Sequence, residues 1–275
     1  HNYAELATIS GGHNSWVYAS WGTVGGGMYN SVLGTAGVVG GGWYVHNWGA
    51  YSVINGGNYN YIYNSYSVIG GGSSNWQWSA YGTIGGGHNH YVYGYGGTVA
   101  GGMYGSVYGS YGSVGGGWYN HCHGDGSSIG GGYGNYGATS HMSIGGGAYN
   151  YNYQNRGVIG GGTSNQLYCS DCSYGVVSGG YGNTANGEAA STAGGYWNTA
   201  SGTLARQGGG HYNNAMASYA FTGGGYDNWS GSSWTTVTGG GYNYAYGEYS
   251  TIDGGGYNRV YGYASGILGG QSTYV

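Results

Sequence analysis

The residues best suited to chemistry in this sequence are Cys169 and Cys172, which form a Cys-x-x-Cys motif. A pair at this spacing can form a local disulfide, act as a redox couple when one thiol is activated, or supply half of a zinc site. Zinc needs four ligands, and Cys122 is the only other cysteine. We therefore favour a disulfide between Cys169 and Cys172, as expected in an oxidising compartment.

A second candidate cluster is His121-Cys122-His123. Alternation along a strand would direct Cys122 inward and both histidines outward, so the three side chains cannot converge on a metal. Cys122 would also lie about 14 Å from the Cys-x-x-Cys pair, three coil spacings away and beyond the reach of a disulfide. We expect Cys122 to be a buried structural thiol, His88 and His90 to be surface turn residues, and the protein to bind no metal.

The carboxylates decide whether the sequence favours an enzyme, and there are seven: Glu5, Asp125, Asp171, Glu188, Asp227, Glu248 and Asp253. Glycoside hydrolysis needs two carboxyl groups about 5–10 Å apart. Glu188 and Glu248 occupy the same place in a repeat, yet four coils separate them, which is about 19 Å at the usual strand spacing. The sequence therefore predicts no catalytic residue, no cofactor and no enzymatic activity.

All of these residues are positioned by one repeat. Eighteen Gly-Gly pairs run from Gly11-Gly12 to Gly269-Gly270 at a spacing of fifteen residues, with a single step of eighteen. A fixed short period is typical of a solenoid, in which each copy forms one coil and packs only against its neighbours. We number each copy from position 1, the residue before the Gly-Gly pair, to position 15.

Alternation within each copy predicts two short strands. Position 8 is often Val, Ile or Ala, position 15 is mostly Val or Ile, and position 13 is small except at Met142. Such period-2 alternation indicates strands with one buried face, here over positions 7–9 and 12–15. The glycine corner and position 10 would form the turns. Asparagine at position 6 is expected to adopt left-handed geometry and to bond the local backbone.

The fold expected from this pattern is all-β. It is a parallel β-solenoid (β-roll) with 15-residue coils, two short strands per coil and about 18 coils, forming a single domain over residues 1–275. The eighteen-residue copy would carry a three-residue bulge loop near residues 169–172.

The outward positions 7, 9 and 12 are rich in aromatic residues, and these are the candidate interaction columns. They comprise Tyr61, Tyr91 and Tyr151 at position 7, Tyr63, Trp78, Tyr93, Tyr108 and Tyr153 at position 9, and Tyr51, Tyr66, Tyr81 and Tyr111 at position 12. Stacked in register, they would expose more contiguous apolar surface than is usual for a soluble monomer. The columns predict packing of chain against chain or, alternatively, a surface on which sugars stack. From 178 to 222 aromatic residues are fewer, which indicates a change of surface.

Composition excludes several classes of protein. The 275 residues include 72 Gly and 37 Tyr but no Pro, so neither collagen nor an ordinary disordered chain fits. With 4% charged residues and a net charge of −4, there is no basic patch for nucleic acid. No apolar run approaches the ~18 residues of a membrane span. The absence of lysine and the many hydroxyl groups favour a secreted or cell-surface location.

Several copies resemble a known family of repeats. They are YGNTANGEAASTAGG (Tyr181 to Gly195), YWNTASG (Tyr196 to Gly202) and YNYAYGEYSTIDGG (Tyr242 to Gly255). These resemble the Gly-Asn repeats of bacterial surface and phage-fibre proteins, and most closely the YadA-like head of trimeric autotransporter adhesins. The resemblance implies a left-handed parallel β-roll of three chains that serves attachment. The family's repeat is about one residue shorter and lacks the Gly-Gly-Gly corner and this density of tyrosine.

Together these features predict a non-enzymatic extracellular structural fibre or adhesive surface rod. It would self-associate, as a homo-oligomer or fibre, through the aromatic columns and through open solenoid ends. Uncapped ends expose strand edges that favour end-to-end growth, unless the chain is a segment of a longer one. A carbohydrate-binding adhesin head or phage tail-fibre segment that recognises surface glycans is the alternative. Ice binding is more distant, because position 14 mixes Thr, Val and Ser rather than forming a threonine ladder.

Overall fold

The computed structural model describes residues 1–169 and 171–275, and it is all-β throughout that part of the chain. It forms a parallel β-solenoid with coils of about fifteen residues and two strands per coil, which confirms the expected fold class. Two compact units, His1–Asn135 and Tyr136–Val275, are described separately below. The described residues contain no helix of the length and apolarity needed to cross a bilayer.

In the first unit, the two strands of each coil belong to two different sheets. Positions 7 and 8 form the 7/8 sheet, with strands Trp16–Val17, Ser31–Val32, His46–Asn47, Tyr61–Ile62, Trp76–Gln77, Tyr91–Val92, Ser106–Val107 and His121–Cys122. Positions 14 and 15 form the 14/15 sheet, with strands Thr8–Ile9, Thr23–Val24, Val38–Val39, Val53–Ile54, Val68–Ile69, Thr83–Ile84, Thr98–Val99, Ser113–Val114 and Ser128–Ile129.

The second unit repeats this arrangement. Its 7/8 sheet contains Tyr136–Gly137, Tyr151–Asn152, Gln166–Leu167, Thr184–Ala185, Thr199–Ala200, Asn214–Ala215, Trp229–Ser230, Tyr244–Ala245 and Arg259–Val260. Its 14/15 sheet contains Ser143–Ile144, Val158–Ile159, Val176–Val177, Ser191–Thr192, Arg206–Gln207, Phe221–Thr222, Thr236–Val237, Thr251–Ile252 and Gly266–Ile267.

Pairing within each unit is parallel and in register. Each strand residue pairs with the residue one copy later, as Tyr61 does with Trp76. Across the eighteen-residue copy, Val158 pairs with Val176, so the extra residues do not shift the register. Single parallel bridges at position 4, such as that between Met28 and Trp43, add a third ladder that the sequence did not reveal.

The core is thin and is built from the inward side chains at positions 8 and 15. Val17, Ile62, Ile84 and Ile159 are examples that are fully buried. Burial of each such side chain contributes roughly 1.5–3 kcal/mol, so a coil with two of them depends on its neighbours for stability.

Positions 8 and 13 share one space, so a large residue at one position accompanies a small residue at the other. A Cβ atom on Gly82 would lie 1.6 Å from Nε2 of Gln77 in the same coil. A Cβ atom on Gly137 would lie 1.8 Å from Cε of Met142. Met142, the exception at position 13, therefore fills the volume that Gly137 leaves empty at position 8.

Left-handed backbone recurs at positions 3, 5 and 12. Position 3 is glycine, and at Gly27 the φ angle is 86° and a Cβ atom would lie 2.2 Å from the carbonyl oxygen of Gly42. Positions 5 and 12 carry other residues, such as Tyr29 with φ 58° and Tyr66 with φ 60°. Two expectations were thus wrong: position 12 lies in a turn rather than a strand, and the left-handed residue precedes the asparagine at position 6.

The asparagines at position 6 are instead buried and form a ladder along the coils. Nδ2 of Asn60 donates to the carbonyl oxygens of Gly56 at 2.8 Å and Gly72 at 3.0 Å. Its Oδ1 accepts the backbone N–H of Asn75 at 3.1 Å. Each asparagine therefore closes the glycine corner of its own coil and also bonds the next coil.

His90 takes the place of an asparagine in this ladder. Its Nδ1 accepts the N–H of Gly105 at 3.0 Å, and its Nε2 donates to the carbonyl oxygen of Gly102 at 3.0 Å. The expectation that His90 is a surface turn residue was wrong, because the side chain is fully buried. Burial also lowers the pKa of His90, which favours the neutral tautomer that these two hydrogen bonds require.

The eighteen-residue copy carries a disulfide between Cys169 and Cys172, whose Cα atoms are 5.2 Å apart. Ser170, which belongs to the bulge expected near residues 169–172, lies outside the described residues. One coil earlier, Gln154 is buried and donates from Nε2 to the carbonyl oxygen of Ala185 at 2.8 Å, two coils further on. The glutamine side chain therefore spans the coil from which the loop departs.

Candidate interaction surface

The aromatic residues at position 9 of the first unit form a continuous stack outside the 7/8 sheet. Trp48, Tyr63, Trp78, Tyr93 and Tyr108 follow one another with ring centroids 4.9, 3.9, 6.1 and 4.9 Å apart. The planes of successive rings are within 12° of parallel. The in-register coil spacing therefore places the rings at the distance that aromatic stacking requires.

The position 7 residues join this stack. Tyr61 lies 6.4 Å from Tyr63, and Tyr91 lies 6.3 Å from Tyr93. Trp76 lies between Tyr61 and Tyr91, at centroid distances of 4.4 and 6.4 Å. The structure thus brings the predicted residues at positions 7 and 9 of the first unit into one cluster, which we call the double column.

The orientation of the rings decides what the double column can bind. Because successive planes are nearly parallel and one coil apart, the rings within a stack cover one another's faces. Trp78, Tyr93 and Tyr108 remain 40%, 42% and 46% exposed. Since each of these rings has another ring stacked on both sides, we infer that their edges and polar tips contribute most of this exposed area. A sugar that stacks on an aromatic residue needs a free face, and the double column offers such faces mainly at its two ends.

In the second unit the corresponding stack is less regular. Tyr153 lies 5.6 Å from Tyr136 and 5.0 Å from Tyr168, with planes tilted by 37° and 42°. Tyr151 is half-buried and pairs in register with Tyr136 and Gln166. These tyrosines belong to the same kind of column but lack the parallel packing of the first unit.

The position 12 tyrosines form a separate column. Tyr51 stacks on Tyr66 at 5.4 Å, and Tyr66 stacks on Tyr81 at 5.0 Å, both within 10° of parallel. Tyr111 is 68% exposed and meets Tyr95 edge to face at 5.6 Å. Of the predicted interaction residues, this set is the most open to solvent.

A further column, at position 5, was missed from the sequence. Tyr29, Tyr44 and Tyr59 stack in order at 4.7 and 5.5 Å in the first unit. Tyr242 and Tyr257 do so at 4.8 Å in the second. All five have left-handed φ angles. The sequence feature that could have predicted this column is the recurrence of tyrosine at position 5, directly before position 6, where asparagine is common.

The tyrosines of the double column are uncharged at neutral pH. Burial raises the pKa of Tyr61, Tyr63 and Tyr93 above the ordinary value of about 10, and neighbouring phenols raise it further at Tyr61 and Tyr93. Self-association of such a surface would therefore meet little electrostatic repulsion.

Two serine–histidine pairs at position 7 were also not foreseen. Oγ of Ser31 lies 2.5 Å from Nδ1 of His46, and Ser106 bonds His121 in the same way. The pairs resemble the nucleophile and base of a hydrolase. However, the two serines are only 5% and 2% exposed, and within residues 1–169 and 171–275 no carboxylate bonds either imidazole. The arrangement therefore supports a structural role. The sequence feature that could have predicted these pairs is the presence of serine and histidine at position 7 of consecutive coils.

Two of the carboxylates bond backbone rather than each other. Oδ1 of Asp125 accepts the N–H of Ser110 at 2.6 Å, and Oε2 of Glu188 accepts the N–H of Ser173 at 2.5 Å. Both acids occupy position 11, so each one satisfies the N–H at the equivalent position of the preceding coil. These hydrogen bonds therefore link the turns of successive coils.

Metal-binding side chains do not gather in the part of the chain that the structure describes, where no group of three or more His, Cys, Asp or Glu is found. Cys122 points into the core and is fully buried, and burial raises the pKa of its thiol to about 11. His123 stacks on Tyr108 at 4.3 Å, outside the sheet. The histidines and the thiol of this tripeptide therefore lie on opposite sides of the strand.

No protein-family model matches the chain, and no curated protein matches its sequence. The structure thus classifies the protein by its fold, a parallel β-solenoid.

Proposed function

We propose that this protein is a non-enzymatic structural protein that builds a surface fibre or adhesive rod, with copies associating through their aromatic columns. The observation that carries the proposal is the double column of the first unit. Its rings are stacked face to face and present edges and polar tips in a regular row.

The stacks have two consequences. Each ring pair adds about 0.5–1.5 kcal/mol beyond its buried area, so the columns hold neighbouring coils together where the core is thin. The exposed edges form a contiguous, uncharged surface, and such surfaces commonly mark protein–protein contacts. A second copy of the chain fits this role, because ring edges pack well against aromatic rings of another column.

The same proposal places the protein outside the cell or at its surface. A disulfide between Cys169 and Cys172 is in keeping with an oxidising compartment. Mass spectrometry of the protein isolated from its source, with and without reduction, would test the oxidised state directly.

Sedimentation velocity and negative-stain electron microscopy, from nanomolar to high micromolar concentration, test the association. We expect concentration-dependent assembly that weakens when Trp48 and Trp78 are both replaced by serine. A matched variant carries Tyr44→Ser and Tyr59→Ser, which removes two rings from the position 5 column instead. Monomers at every concentration would overturn the proposal. Equal loss of assembly in both variants would overturn the assignment of the contact to the double column.

Glycan binding along the double column is weaker as an alternative, since the ring faces are covered. Ice binding is also disfavoured, because the outward residues of the 14/15 sheet include Val38, Arg206 and Phe221 among the threonines and serines. A glycan array and an ice-recrystallisation assay on the same preparation would test these two alternatives.

A further inference from the structure

The outer side of the 14/15 sheet changes character at two adjacent strands of the second unit. Position 14 is Thr, Val, Ser or Gly in the other strands, but it is Arg206 and then Phe221 in consecutive coils. The two residues are partners in the parallel register, one coil spacing of about 4.8 Å apart. They lie at the end of the region, 178 to 222, where the sequence indicated a change of surface.

Arg206 differs from the other two arginines in having no partner. The guanidinium of Arg156 lies over the ring of Tyr174 at 5.4 Å, and that of Arg259 lies over Tyr244 at 5.6 Å. The side chain of Arg206 is exposed and makes no hydrogen bond, ion pair or cation–π contact with any residue that the structure describes. With no lysine in the sequence, it is an isolated positive charge available to an anion.

Phe221 differs from the aromatic columns in a similar way. It is the only phenylalanine of the chain, is 37% exposed, and stacks on no other ring among the described residues. The next coil places Thr236 beside it, which is too small to cover a ring. Phe221 is therefore not covered by a neighbouring ring, unlike the rings inside a stack.

Hollows flank this pair of residues on both sides. One, of about 380 Å³, lies toward position 12 and is lined by Leu204, Arg206, Tyr219, Ala220, Phe221 and Trp234. The other, of about 290 Å³, lies toward position 1, and its polar lining includes Ser178, Ser191, Arg206 and Gln207. Arg206 and Phe221 line both hollows, so they form the ridge between them.

We infer that this ridge binds a carboxylated saccharide. The sugar carboxylate pairs with the guanidinium of Arg206, and the apolar face of the pyranose ring packs on Phe221. Hydroxyl groups of the sugar bond the polar side chains of the second hollow, of which Ser178 is exposed and Ser191 half-exposed. Tyr219 and Trp234, stacked at 4.0 Å, form an aromatic wall of the first hollow.

Charge and shape favour a saccharide over other acidic ligands. A nucleic acid requires several basic residues along its phosphates, and only one is present here. An extended acidic peptide would add to a free sheet edge, whereas Arg206 and Phe221 lie on a sheet face with strands paired on both sides. One charge, one exposed aromatic ring that no other ring covers, and several hydroxyl groups together match a single acidic sugar unit.

Isothermal titration calorimetry of the whole chain with tetragalacturonic acid tests this inference, alongside its methyl ester and a neutral cello-oligosaccharide. We expect binding of the acid only, weakened by salt. Loss of one charge-assisted pair corresponds to about tenfold in affinity, so Arg206→Thr should weaken binding at least that much. Phe221→Thr should weaken it several-fold. Both variants restore a residue that position 14 carries elsewhere, so the fold is expected to be retained, which thermal melts would verify.

Arg259→Thr serves as the matched control and should bind like the parent chain, since position 7 carries threonine in other coils of this unit, at Thr184 and Thr199. The inference is overturned if the methyl ester binds as well as the acid, if neither binds, or if Arg259→Thr and Arg206→Thr have equal effects. Tighter binding of an acidic peptide of the same charge would also overturn it, in favour of a protein ligand. The experiment is independent of self-association, because Arg206 and Phe221 do not belong to the double column.

Discussion

His90 makes the stability of the fold sensitive to acid at the scale of a single residue. Burial lowers its pKa in the folded state, while the unfolded chain keeps the ordinary value of about 6.5. As the pH falls below that value, the unfolded state binds the proton first, so stability is complete above it and declines below it. Protonation of Nδ1 would also remove the acceptor for the N–H of Gly105.

Replacement of His90 by asparagine tests this interpretation. Asparagine supplies the same donor and acceptor in the ladder and does not titrate. We expect His90→Asn to lose a few degrees less in melting temperature than the parent chain between neutral pH and pH ~5. Part of the pH dependence should remain, because burial also lowers the pKa of His46 and His121. His13→Asn, at an exposed site in the same unit, is the control, and an equal change in both variants would contradict the prediction.

The glycine corner offers a second test at single residues. Its adjacent glycines, Gly26 and Gly27, differ in whether their backbone angle and surroundings would accept a side chain. At Gly26 a Cβ atom would meet nothing within 4 Å, and its φ angle is not left-handed. At Gly27 the φ angle is 86° and a Cβ atom would lie 2.2 Å from the carbonyl oxygen of Gly42. Gly26→Ala should therefore be neutral or stabilise by about 0.4–1 kcal/mol, since the unfolded chain loses freedom.

Gly27→Ala, by contrast, should destabilise by about 2 kcal/mol or more, because strain and the clash add together. Chemical denaturation of the two variants in parallel measures the difference. Equal stabilities would show that the corner does not need glycine at position 3 for steric reasons.

At the scale of the coil, positions 8 and 13 behave as one packing unit. Met142→Gly should leave a cavity beside Gly137 and cost about 2–4 kcal/mol. Gly137→Val alone should cost a similar amount, because the methionine already fills that space. The double variant recreates the combination present at Val92 and Gly97, and we expect its stability within about 1 kcal/mol of the parent chain. Additive losses in this double-mutant cycle would show that the two positions do not share a volume.

The coil is also the scale at which the sequence was most informative. Because alternation reports which side chains face inward, it predicted the burial of positions 8 and 15 and the parallel register. It did not separate a strand from a turn at position 12, since an outward tyrosine such as Tyr66 fits either. The sequence predicted a surface position for His90. That prediction was wrong because the hydrogen-bonded ladder in which His90 replaces an asparagine is recognised only from the three-dimensional structure.

The candidate site was less predictable, for a physical reason. Sequence identified the aromatic positions 7, 9 and 12, but ring orientation depends on the spacing and register of neighbouring coils. Tyr63 and Trp78 therefore gave no indication that their faces would be covered. The isolation of Arg206 depends in turn on the side chains that the register places beside it, Ser191 and Phe221, neither of which bonds its guanidinium. No local sequence pattern identifies those neighbours.

At the scale of the whole molecule, the scarcity of charge distinguishes the two proposed surfaces. Only 4% of residues are charged, and the double column is neutral, so its self-association should strengthen or stay constant as salt is added. Binding at Arg206 depends on one charge pair that is open to solvent, so salt should weaken it. Opposite responses to the same change in solvent thus separate the two activities.

The final prediction is that the two surfaces can be removed independently. Trp48→Ser with Trp78→Ser should reduce assembly and leave the affinity for tetragalacturonic acid within about twofold, because these residues belong to another unit. Arg206→Thr should weaken the salt-sensitive binding by about tenfold or more and leave the sedimentation profile unchanged. Titration and sedimentation of both variants at low and high salt measure the four outcomes. Loss of both activities in the double tryptophan variant would mean that saccharide binding requires the assembled form. Loss of both in Arg206→Thr would mean that assembly requires Arg206. Either result would contradict the independence of the two surfaces.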